Sequence, residues 1–219
     1  MKDNRKSENL SSVAYNAIKD AINAGELVKG DITSEVRLSQ MLNMSRTPIR
    51  KAVRRLEIEG FLEMRGEKGI LIKGISYRDI MNLYAVRTEM EILAARTAVH
   101  AISIEDLDDL KDQLLQLKQM SNCNLNDAKN TYLQLDQKIH QLLIDNCANN
   151  YIQLIMDMIS SNMERYQKIS FETLNDLPTS IDRHLKILEC IRQRDPELVI
   201  RELRNNINFG KNILLPKTE

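Results

Sequence analysis

The sequence predicts a mainly α-helical protein of two parts, and three observations support this fold class. Glycine and proline, which disfavour helix interiors, number only 7 and 4 among 219 residues. Residues 9–74 contain helical patterns followed by two short strand-like runs around a glycine-containing turn. From residue 77 to residue 215 the apolar spacing is helical throughout, which predicts a C-terminal all-α helical bundle.

The first part, residues 9–74, has the element order of a winged helix-turn-helix with a small β-hairpin wing. Ser34 is suited to cap its second helix, and Ser45 with Pro48 is suited to open its third. A hairpin tip is expected at 65–69, where two glycines favour a turn. The predicted elements are helices 11–24, 35–42 and 45–59, and strands 61–64 and 70–72. This order predicts that the second and third helices form a DNA-binding helix-turn-helix.

The second part, residues 77–215, follows a short linker at 74–76 and is predicted to contain helices alone. Ser103 and Asp195-Pro196 are helix-start signals, and Pro178 separates the fourth helix of this part from the fifth. The predicted helices are 77–101, 103–121, 124–147, 149–170, 178–194 and 196–214.

The third helix carries the basic residues expected of a helix that reads DNA. Ser45–Leu56 holds five basic residues and no acidic one, and Arg46 and Arg50 lie four positions apart on one face. Arginine near the N-terminal end of such a helix can donate two hydrogen bonds to guanine in the major groove. Thr47 is placed for a phosphate or a thymine methyl, and the side chains better placed for phosphates are Lys51, Arg54 and Arg55. A solvated basic helix face is the alternative interpretation.

Charge and composition indicate what the protein binds and where in the cell it is located. Residues 1–75 hold 14 Lys and Arg against 10 Asp and Glu, whereas the remainder holds 17 against 21. This asymmetry favours a polyanionic partner for the first part only. No apolar run reaches the roughly 18–20 residues that span a bilayer, and no secretory signal precedes the first helix. The three cysteines, Cys123, Cys147 and Cys190, are far apart and fit reduced thiols, so a cytoplasmic protein without a membrane partner is expected.

The motifs of the first part resemble the GntR family of bacterial transcription regulators. The matching runs are AINAGEL at 21–27, SEVRL at 34–38, SRTPIR at 45–50 and LEIEG at 56–60. The resemblance implies a homodimer that binds a pseudo-palindromic double-stranded operator.

The resemblance also implies DNA contacts for particular residues. Arg46, Thr47 and Arg50, within a motif opened by Ser45, are expected to contact bases and phosphates, and the tip Gly66–Gly69, with Lys68, is expected to be the minor-groove wing. This chain differs from the family pattern at two positions that affect how the operator is recognised. Some relatives have an arginine where this chain has Val36, and Glu67 weakens phosphate attraction at the wing. The operator sequence therefore does not transfer from relatives.

Residues 77–214 resemble the FadR-type helical effector domain of the same family, called FCD, in its six-helix branch. The match is carried by residues 84–91 (YAVRTEME) and 136–140 (DQKIH), then Asn149, His184 and Asp195-Pro196, in the order and spacing of that domain.

Asp136, His140 and His184 are candidate ligands for a divalent metal. Asp136 and His140 lie at i and i+4 on one helix face, and a later helix of a bundle could add His184. On the residues alone, a surface Asp/His pair and a core-capping His184 remain open. The resemblance implies a metal site, but Asn206 stands where metal-binding relatives have a further His. An amide oxygen is a poorer ligand for zinc than imidazole, so zinc, nickel and manganese, or an empty site, all remain possible.

Arg87 is the candidate residue for binding an anionic effector. Arg87 and Glu91 are four apart, so they either form an intrahelical ion pair or leave Arg87 to bind a carboxylate inside the bundle. The sequence thus predicts a regulator whose operator affinity changes when a small-molecule effector, a carboxylate, binds the helical domain. The alternatives are a nucleic-acid-binding protein with an inert helical dimerisation domain, and a metal-dependent hydrolase, for which an evident nucleophile is lacking.

Overall fold

The structure is a computed structural model that describes residues 2–74, 76–120, 125–173 and 176–214. Contacts divide the chain into two compact units, Met1–Ser76 and Tyr77–Glu219. Ile75 of the expected linker, Cys123 and residue 215 lie outside the described residues.

The N-terminal unit consists of three helices and a small sheet. Its elements are α1 (Lys2–Asn23), β1 (Ile32–Thr33), α2 (Glu35–Met41), α3 (Arg46–Ile58), β2 (Leu62–Met64) and β3 (Ile70–Ile72). The core lies where α1 crosses α3, and its fully buried side chains include Ile18, Leu38, Ile49, Leu56 and Phe61. The buried sides of the helices therefore fix which side of α3 remains exposed to solvent.

The wing contains one more strand than the sequence predicts. The expected hairpin is formed by β2 and β3, with Glu63 opposite Leu71, and a single turn of 3₁₀ helix at Gly66–Lys68 forms its tip. The additional strand β1 pairs antiparallel with β3, which gives the strand order β1-β3-β2. Gly69 allows this approach, because its φ is +94° and a Cβ there would lie 2.6 Å from the carbonyl oxygen of Thr33. A two-residue strand is too short to show the alternation that identifies strands in a sequence.

The C-terminal unit is a bundle of six helices, with no strand among its described residues. The helices are α4 (Tyr77–Ala101), α5 (Ile104–Met120), α6 (Leu125–Asp145), α7 (Asn150–Thr173), α8 (Leu177–Arg192) and α9 (Pro196–Leu214). The prediction that the eighth helix reaches residue 194 is wrong, because Arg194 has a φ of 58° and leaves the helix. Asp195 then accepts a hydrogen bond from the backbone N–H of Glu197 and starts α9.

The described part of the bundle core is mainly apolar but contains a group of buried polar side chains. Its buried aliphatic residues come from all six helices, and Cys147 and Cys190 are buried thiols within it. The buried polar residues in the middle of α4, α6, α8 and α9 include Arg87, Glu91, Asp136, His140, His184 and Asn206. Among the described helices, none is both long enough and apolar enough to cross a membrane.

Candidate DNA-binding surface and metal centre

Helix α3 has a buried apolar side and an exposed basic side. Ser45 is its N-cap residue, and Pro48, Ile49, Ala52, Val53 and Leu56 are buried. The remaining positions of its first turns are exposed, namely Arg46, Thr47, Arg50, Lys51 and Arg54. This exposed basic side is therefore a product of how α3 packs, and it places its cations toward solvent near the helix N-terminus.

Arg50 is held by an acidic residue of the preceding helix. Arg50 Nε donates to both carboxylate oxygens of Glu35, at 3.1 and 3.2 Å, and Nη2 donates to Glu35 Oε2 at 3.1 Å. The Arg50 side chain is nevertheless 58% exposed. The ion pair spans 15 residues of sequence, so helical spacing could not reveal it.

Arg55 has a structural role that the sequence does not show. Its Nε lies 3.0 Å from Glu59 Oε1, and its guanidinium carbon lies 3.9 Å from the centre of the Tyr15 ring. Tyr15 Oη in turn donates to Glu59 Oε2 at 2.5 Å. Arg55 therefore helps to join α1 to α3, which makes it a weaker candidate for a phosphate contact than Lys51 or Arg54.

The wing tip is exposed and carries mixed charge. Gly66, Glu67 and Lys68 are all exposed, and Gly66 has a positive φ of 57°. At its base Arg65 is paired with Glu63 at 3.0 Å. Lys68 is thus the exposed cation of the tip, beside an acid that reduces its attraction for phosphate.

Asp136, His140 and His184 converge inside the bundle. Each offers a ligand atom, and these atoms all lie within 4.8 Å of one another. Asp136 Oδ1 is 3.0 Å from His184 Nε2 and 3.8 Å from His140 Nε2. All three side chains are buried, so the surface Asp/His pair considered above is wrong. Asn206 is also present, with Oδ1 at 3.2 Å from His140 Nε2.

The His184 ring is oriented with Nε2 toward the cluster. Nδ1 lies 3.0 Å from the carbonyl oxygen of Ser180, which can only accept, so Nδ1 carries the proton. Tyr132 Oη lies 2.8 Å from Nδ1 and helps to hold this side of the ring in place. Nε2 is buried and has no hydrogen-bond partner among the described residues, although it is close to Asp136. The unprotonated Nε2 and the Asp136 carboxylate both face the same point with their electron pairs. This arrangement fits a site that holds a cation better than a core that holds none.

The His140 ring is oriented in the same way by Glu91. Burial alone would raise the pKa of Glu91, but the charges of Arg87 and His140 lower it to about 2. An ionised carboxylate only accepts, so His140 Nδ1 donates to Glu91 Oε2, and Nε2 is the nitrogen that faces Asp136 and the amide oxygen of Asn206. Metal-ligating histidines are commonly held through their other nitrogen in this way.

Asp136 provides the negative charge of the cluster. Burial would raise its pKa, but the close contact with His184 and the charge of His140 hold the pKa well below its usual range. Its second oxygen accepts from Gln167 Nε2 at 2.8 Å, and Gln137 donates to Gln167 Oε1 at 3.3 Å. The donor set of one carboxylate, two imidazoles and an amide oxygen fits a divalent ion.

Arg87 forms the intrahelical ion pair with Glu91 that was one of its two interpretations. Its Nε donates to Glu91 Oε1 at 2.6 Å, and both side chains are almost fully buried. Burial would lower the pKa of Arg87, yet the charge of Glu91 raises it above its ordinary value. Arg87 therefore lines the neighbouring cavity while it is paired with Glu91, and its binding of an effector stays a prediction.

A cavity of about 650 Å³ adjoins the cluster between α5, α6 and α7. Its inner wall includes Arg87, Glu91, His140 and Gln167, which also surround the cluster. Small-molecule sites commonly have volumes of roughly 300–1,000 Å³, so this cavity is large enough for an effector.

Two family profiles match the chain: "Bacterial regulatory proteins, gntR family" over residues 10–72 and "FCD domain" over residues 82–209. The chain is a GntR-family transcription regulator. Its C-terminal bundle is the FCD effector-binding domain of that family, and the expected fold class of winged helix-turn-helix plus helical bundle is confirmed.

Relatives support the same assignment over most of the chain. The chain is 24% identical over 194 residues to the HTH-type transcriptional regulator YdhC of Bacillus subtilis, which covers 89% of this chain and 86% of YdhC. It is 26% identical over 201 residues to the gluconate operon transcriptional repressor of Bacillus subtilis, a match that covers 90% of this chain and 81% of the repressor. The solved structure of E. coli McbR/YncC has the same fold, with a TM-score of 0.71 and 20% sequence identity. The match covers 94% of this chain and 96% of McbR/YncC. These relatives are transcription regulators and not enzymes, so the hydrolase alternative is set aside.

Several residues around the cluster were not identified from the sequence, although some carried a signal. Tyr132, Asp136 and His140 occupy positions i, i+4 and i+8 of α6, so one helix face could have been extended back to Tyr132. Ser180 and His184 have the same i, i+4 relation on α8. Gln167 and the contact between Glu91 and His140 link separate helices, and a single sequence gives no signal for them.

Proposed function

We propose that this regulator binds operator DNA by placing α3 in the major groove. The observation that carries the proposal is the exposed basic side of α3, whose opposite side is fixed in the core. Arg46 and Arg50 are near the N-terminal end of α3 and read bases, while Lys51 and Arg54 neutralise phosphates. The proposed DNA-contacting residues are Ser45, Arg46, Thr47, Arg50, Lys51, Arg54, Gly66 and Lys68.

Glu35 orients Arg50 for this role. The ion pair occupies Nε and one hydrogen of Nη2, which leaves Nη1 available for a base edge. Holding the guanidinium before binding reduces the rotamer entropy that is lost when the complex forms. Glu35 therefore contributes to specificity without contacting a base.

We further propose that the active form is a homodimer, joined through one face of α7. Tyr151, Leu154, Ile155 and Met158 follow i, i+3, i+4, i+7 spacing on this helix, and three of them are 62–77% exposed. A second copy of the chain is the proposed occupant, because two recognition helices are needed to bind the two halves of a pseudo-palindromic site. In the bacterial cytoplasm such a dimer acts directly on the chromosome.

The FCD bundle is proposed to hold one divalent ion through Asp136, His140 and His184, with Asn206 as a weak fourth ligand. The supporting observation is His184 Nε2, which is buried beside the Asp136 carboxylate and has no hydrogen-bond partner within the described part of the chain. Zinc, nickel and manganese all suit imidazole and carboxylate ligands, and the amide oxygen favours the harder ions. A bound ion would offer open coordination positions to an effector carboxylate.

The effector is proposed to occupy the cavity beside this centre, with a carboxylate at the inner wall. One relative regulates a gluconate operon by name, which is in keeping with an acidic small molecule. Arg87 contributes donors to the cavity wall while it remains paired with Glu91. The effector changes operator affinity if it binds the DNA-competent and incompetent forms with different affinities.

A second candidate function is operator binding with an inert helical dimerisation domain. The observation that favours it is Asn206, because a neutral amide replaces a strong ligand. Thermal unfolding with metals and small carboxylates separates the two, since a ligand of the native state must raise its stability. An unchanged melting temperature with every metal and carboxylate supports the inert domain.

The DNA proposal is tested with duplexes that the full chain selects from a random library. Arg46→Ala and Arg50→Ala are expected to lose ~1–3 kcal/mol of binding to the selected duplex, with little change on a scrambled duplex. Lys51→Ala and Arg54→Ala serve as matched controls, which should weaken both duplexes equally and flatten the salt dependence. Fluorescence anisotropy measures all four variants. Unchanged affinity of both Arg46→Ala and Arg50→Ala for the selected duplex would show that α3 does not read bases.

A further inference from the structure

Glu57 connects helix α3 directly to the wing strand β2. It is the last residue but one of α3, and its Oε1 accepts a hydrogen bond from the backbone N–H of Met64 at 3.0 Å. Met64 is the last residue of β2 and comes just before the wing tip. The contact therefore joins the helix that is proposed to read bases to the strand that carries the tip.

The N–H of Met64 is available for this contact because of the register of the hairpin. The backbone N–H groups of Lys73 and Arg65 donate to the carbonyl oxygens of Phe61 and Gly69, both at 2.9 Å. Alternate residues of a strand form these bonds, so Met64 directs its N–H away from β3, toward the outer edge of the sheet. An N–H group at a sheet edge ordinarily bonds water, so the carboxylate from α3 adds an attachment that the sheet itself does not provide.

The two ends of β2 are held in different ways. At its start the core holds the strand, because Phe61 and Leu62 are buried. At the tip end Met64 is half-exposed, while Ile70 opposite it is buried, so the core holds this end through β3. Glu57 adds a direct attachment of β2 to α3 at this second point.

The wing tip is a compact turn whose position follows from the end of β2. The N–H of Lys68 donates to the carbonyl oxygen of Arg65 at 3.1 Å, and the N–H of Gly69 donates to that of Gly66 at 3.2 Å. The turn begins directly after Met64. The position of Lys68 relative to α3 therefore depends on where Met64 is held.

The place of Glu57 in α3 indicates that it does not serve the helix itself. A carboxylate in the last turn of a helix lies beside unpaired carbonyl oxygens, which is electrostatically unfavourable. Glu57 is half-buried at this position, with one oxygen directed at the strand. Its contribution is thus the contact with the wing.

We propose that Glu57 is a positioning residue for DNA binding, which holds the wing where Lys68 meets a phosphate while α3 lies in the major groove. The inference rests on the proposed DNA contact of Lys68. Glu57 contacts no DNA itself. Holding the two contact elements in one arrangement before binding reduces the ordering cost that is paid when the complex forms.

Two substitutions at position 57 separate the hydrogen bond from the charge. Glu57→Gln keeps an acceptor oxygen at the same reach and removes the charge, whereas Glu57→Asp keeps the charge and shortens the side chain by one C–C bond, ~1.5 Å. Each is combined with Lys68→Ala in the full chain. Fluorescence anisotropy then measures affinity for the duplex selected from a random library, as a function of salt concentration.

The cost of Lys68→Ala in each chain is the decisive quantity. Loss of one phosphate contact lowers affinity about fivefold at physiological salt and flattens the salt dependence. This full cost is expected in the natural chain and in Glu57→Gln, but less than about twofold in Glu57→Asp, where the wing is no longer held in place. Full cost in Glu57→Asp with reduced cost in Glu57→Gln would overturn the inference in favour of a charge effect. Equal cost in all three chains would also overturn it, because a purely structural role lowers the melting temperature without changing what Lys68 contributes.

Arg46→Ala is the matched control for the same three chains. Its cost on the selected duplex should be equal in all of them, since α3 keeps its place in the core. A reduced cost of Arg46→Ala in Glu57→Asp would mean that position 57 disturbs the whole unit, and it would overturn the positioning role. If Lys68→Ala costs nothing in the natural chain, the proposed wing contact fails and the inference fails with it, whereas a full but equal cost contradicts the inference alone.

Discussion

Replacing Asn206 with histidine tests the geometry of the metal centre most sharply. Asn206 is 8% exposed, and its Oδ1 lies 3.2 Å from His140 Nε2, so a side chain at this position faces the proposed ligands. Asn206→His exchanges a neutral amide oxygen for an imidazole, which binds zinc and nickel more strongly. The variant is therefore expected to bind zinc more tightly than the natural chain.

The expected size of the effect follows from ligand linkage. Changes in the outer shell of metal sites alter affinity by 10–100-fold, and a new direct ligand should reach at least the lower value, which is about 1.4 kcal/mol. With zinc in large excess this adds to the stability of the native state, and for a chain of this size it raises the melting temperature by roughly 3–6 °C. Zinc titration at fixed pH gives the affinity directly, since proton release accompanies binding.

Asn205→His is the matched control for this comparison. Position 205 is exposed on the same helix, so the added imidazole is displaced by one residue from the cluster. It should leave zinc affinity at the level of the natural chain. Equal affinities for the natural chain and Asn206→His would show that position 206 does not face the metal. If neither binds zinc, the cluster is not a metal site, and the buried Asp136 and two histidines form a polar network of the core.

Three further results are expected from the same structure. Glu35→Gln should reduce the preference for the selected duplex over a scrambled one, because Arg50 loses its orienting charge, and an unchanged preference in anisotropy titrations would remove this role of Glu35. A fragment ending at Ser76 should fold by circular dichroism but bind the operator more weakly than the full chain, since it lacks the second half-site contact; equal affinity would contradict dimerisation through the bundle. Met158→Asp should yield monomers in analytical ultracentrifugation, whereas Met120→Asp, at a position of similar exposure, should not; dimers that persist in both variants would place the interface elsewhere.

Local signals in the sequence were sufficient for most of the fold. Helix periodicity, Ser34 and the glycines around the hairpin predict the order of elements because each feature acts within a few residues. Strand β1 was missed since its two residues are ordered by pairing with β3, which is a contact across the fold. The sequence also could not decide between the two interpretations of Arg87, because its surroundings depend on burial and on the contact between Glu91 and His140, which lie on separate helices.

The candidate site was predictable where its residues repeat along one helix or match a family motif. Asp136 and His140 were found from i, i+4 spacing, and the exposed side of α3 was found from its run of basic residues. The cavity beside the cluster was not predictable, since its lining residues come from separate helices that meet only after packing. A sequence shows the net charge of a segment but not which charges share a cavity.

The metal content of the full chain is the most direct test of the proposed centre. The protein should be purified without chelators and analysed by plasma mass spectrometry beside two variants, His184→Ala and His100→Ala. The natural chain and His100→Ala, which changes an exposed histidine outside the cluster, should carry about one equivalent of a divalent ion. His184→Ala should carry almost none while its circular dichroism remains helical. A natural chain that contains no metal and takes up none from added zinc, nickel or manganese would contradict the account.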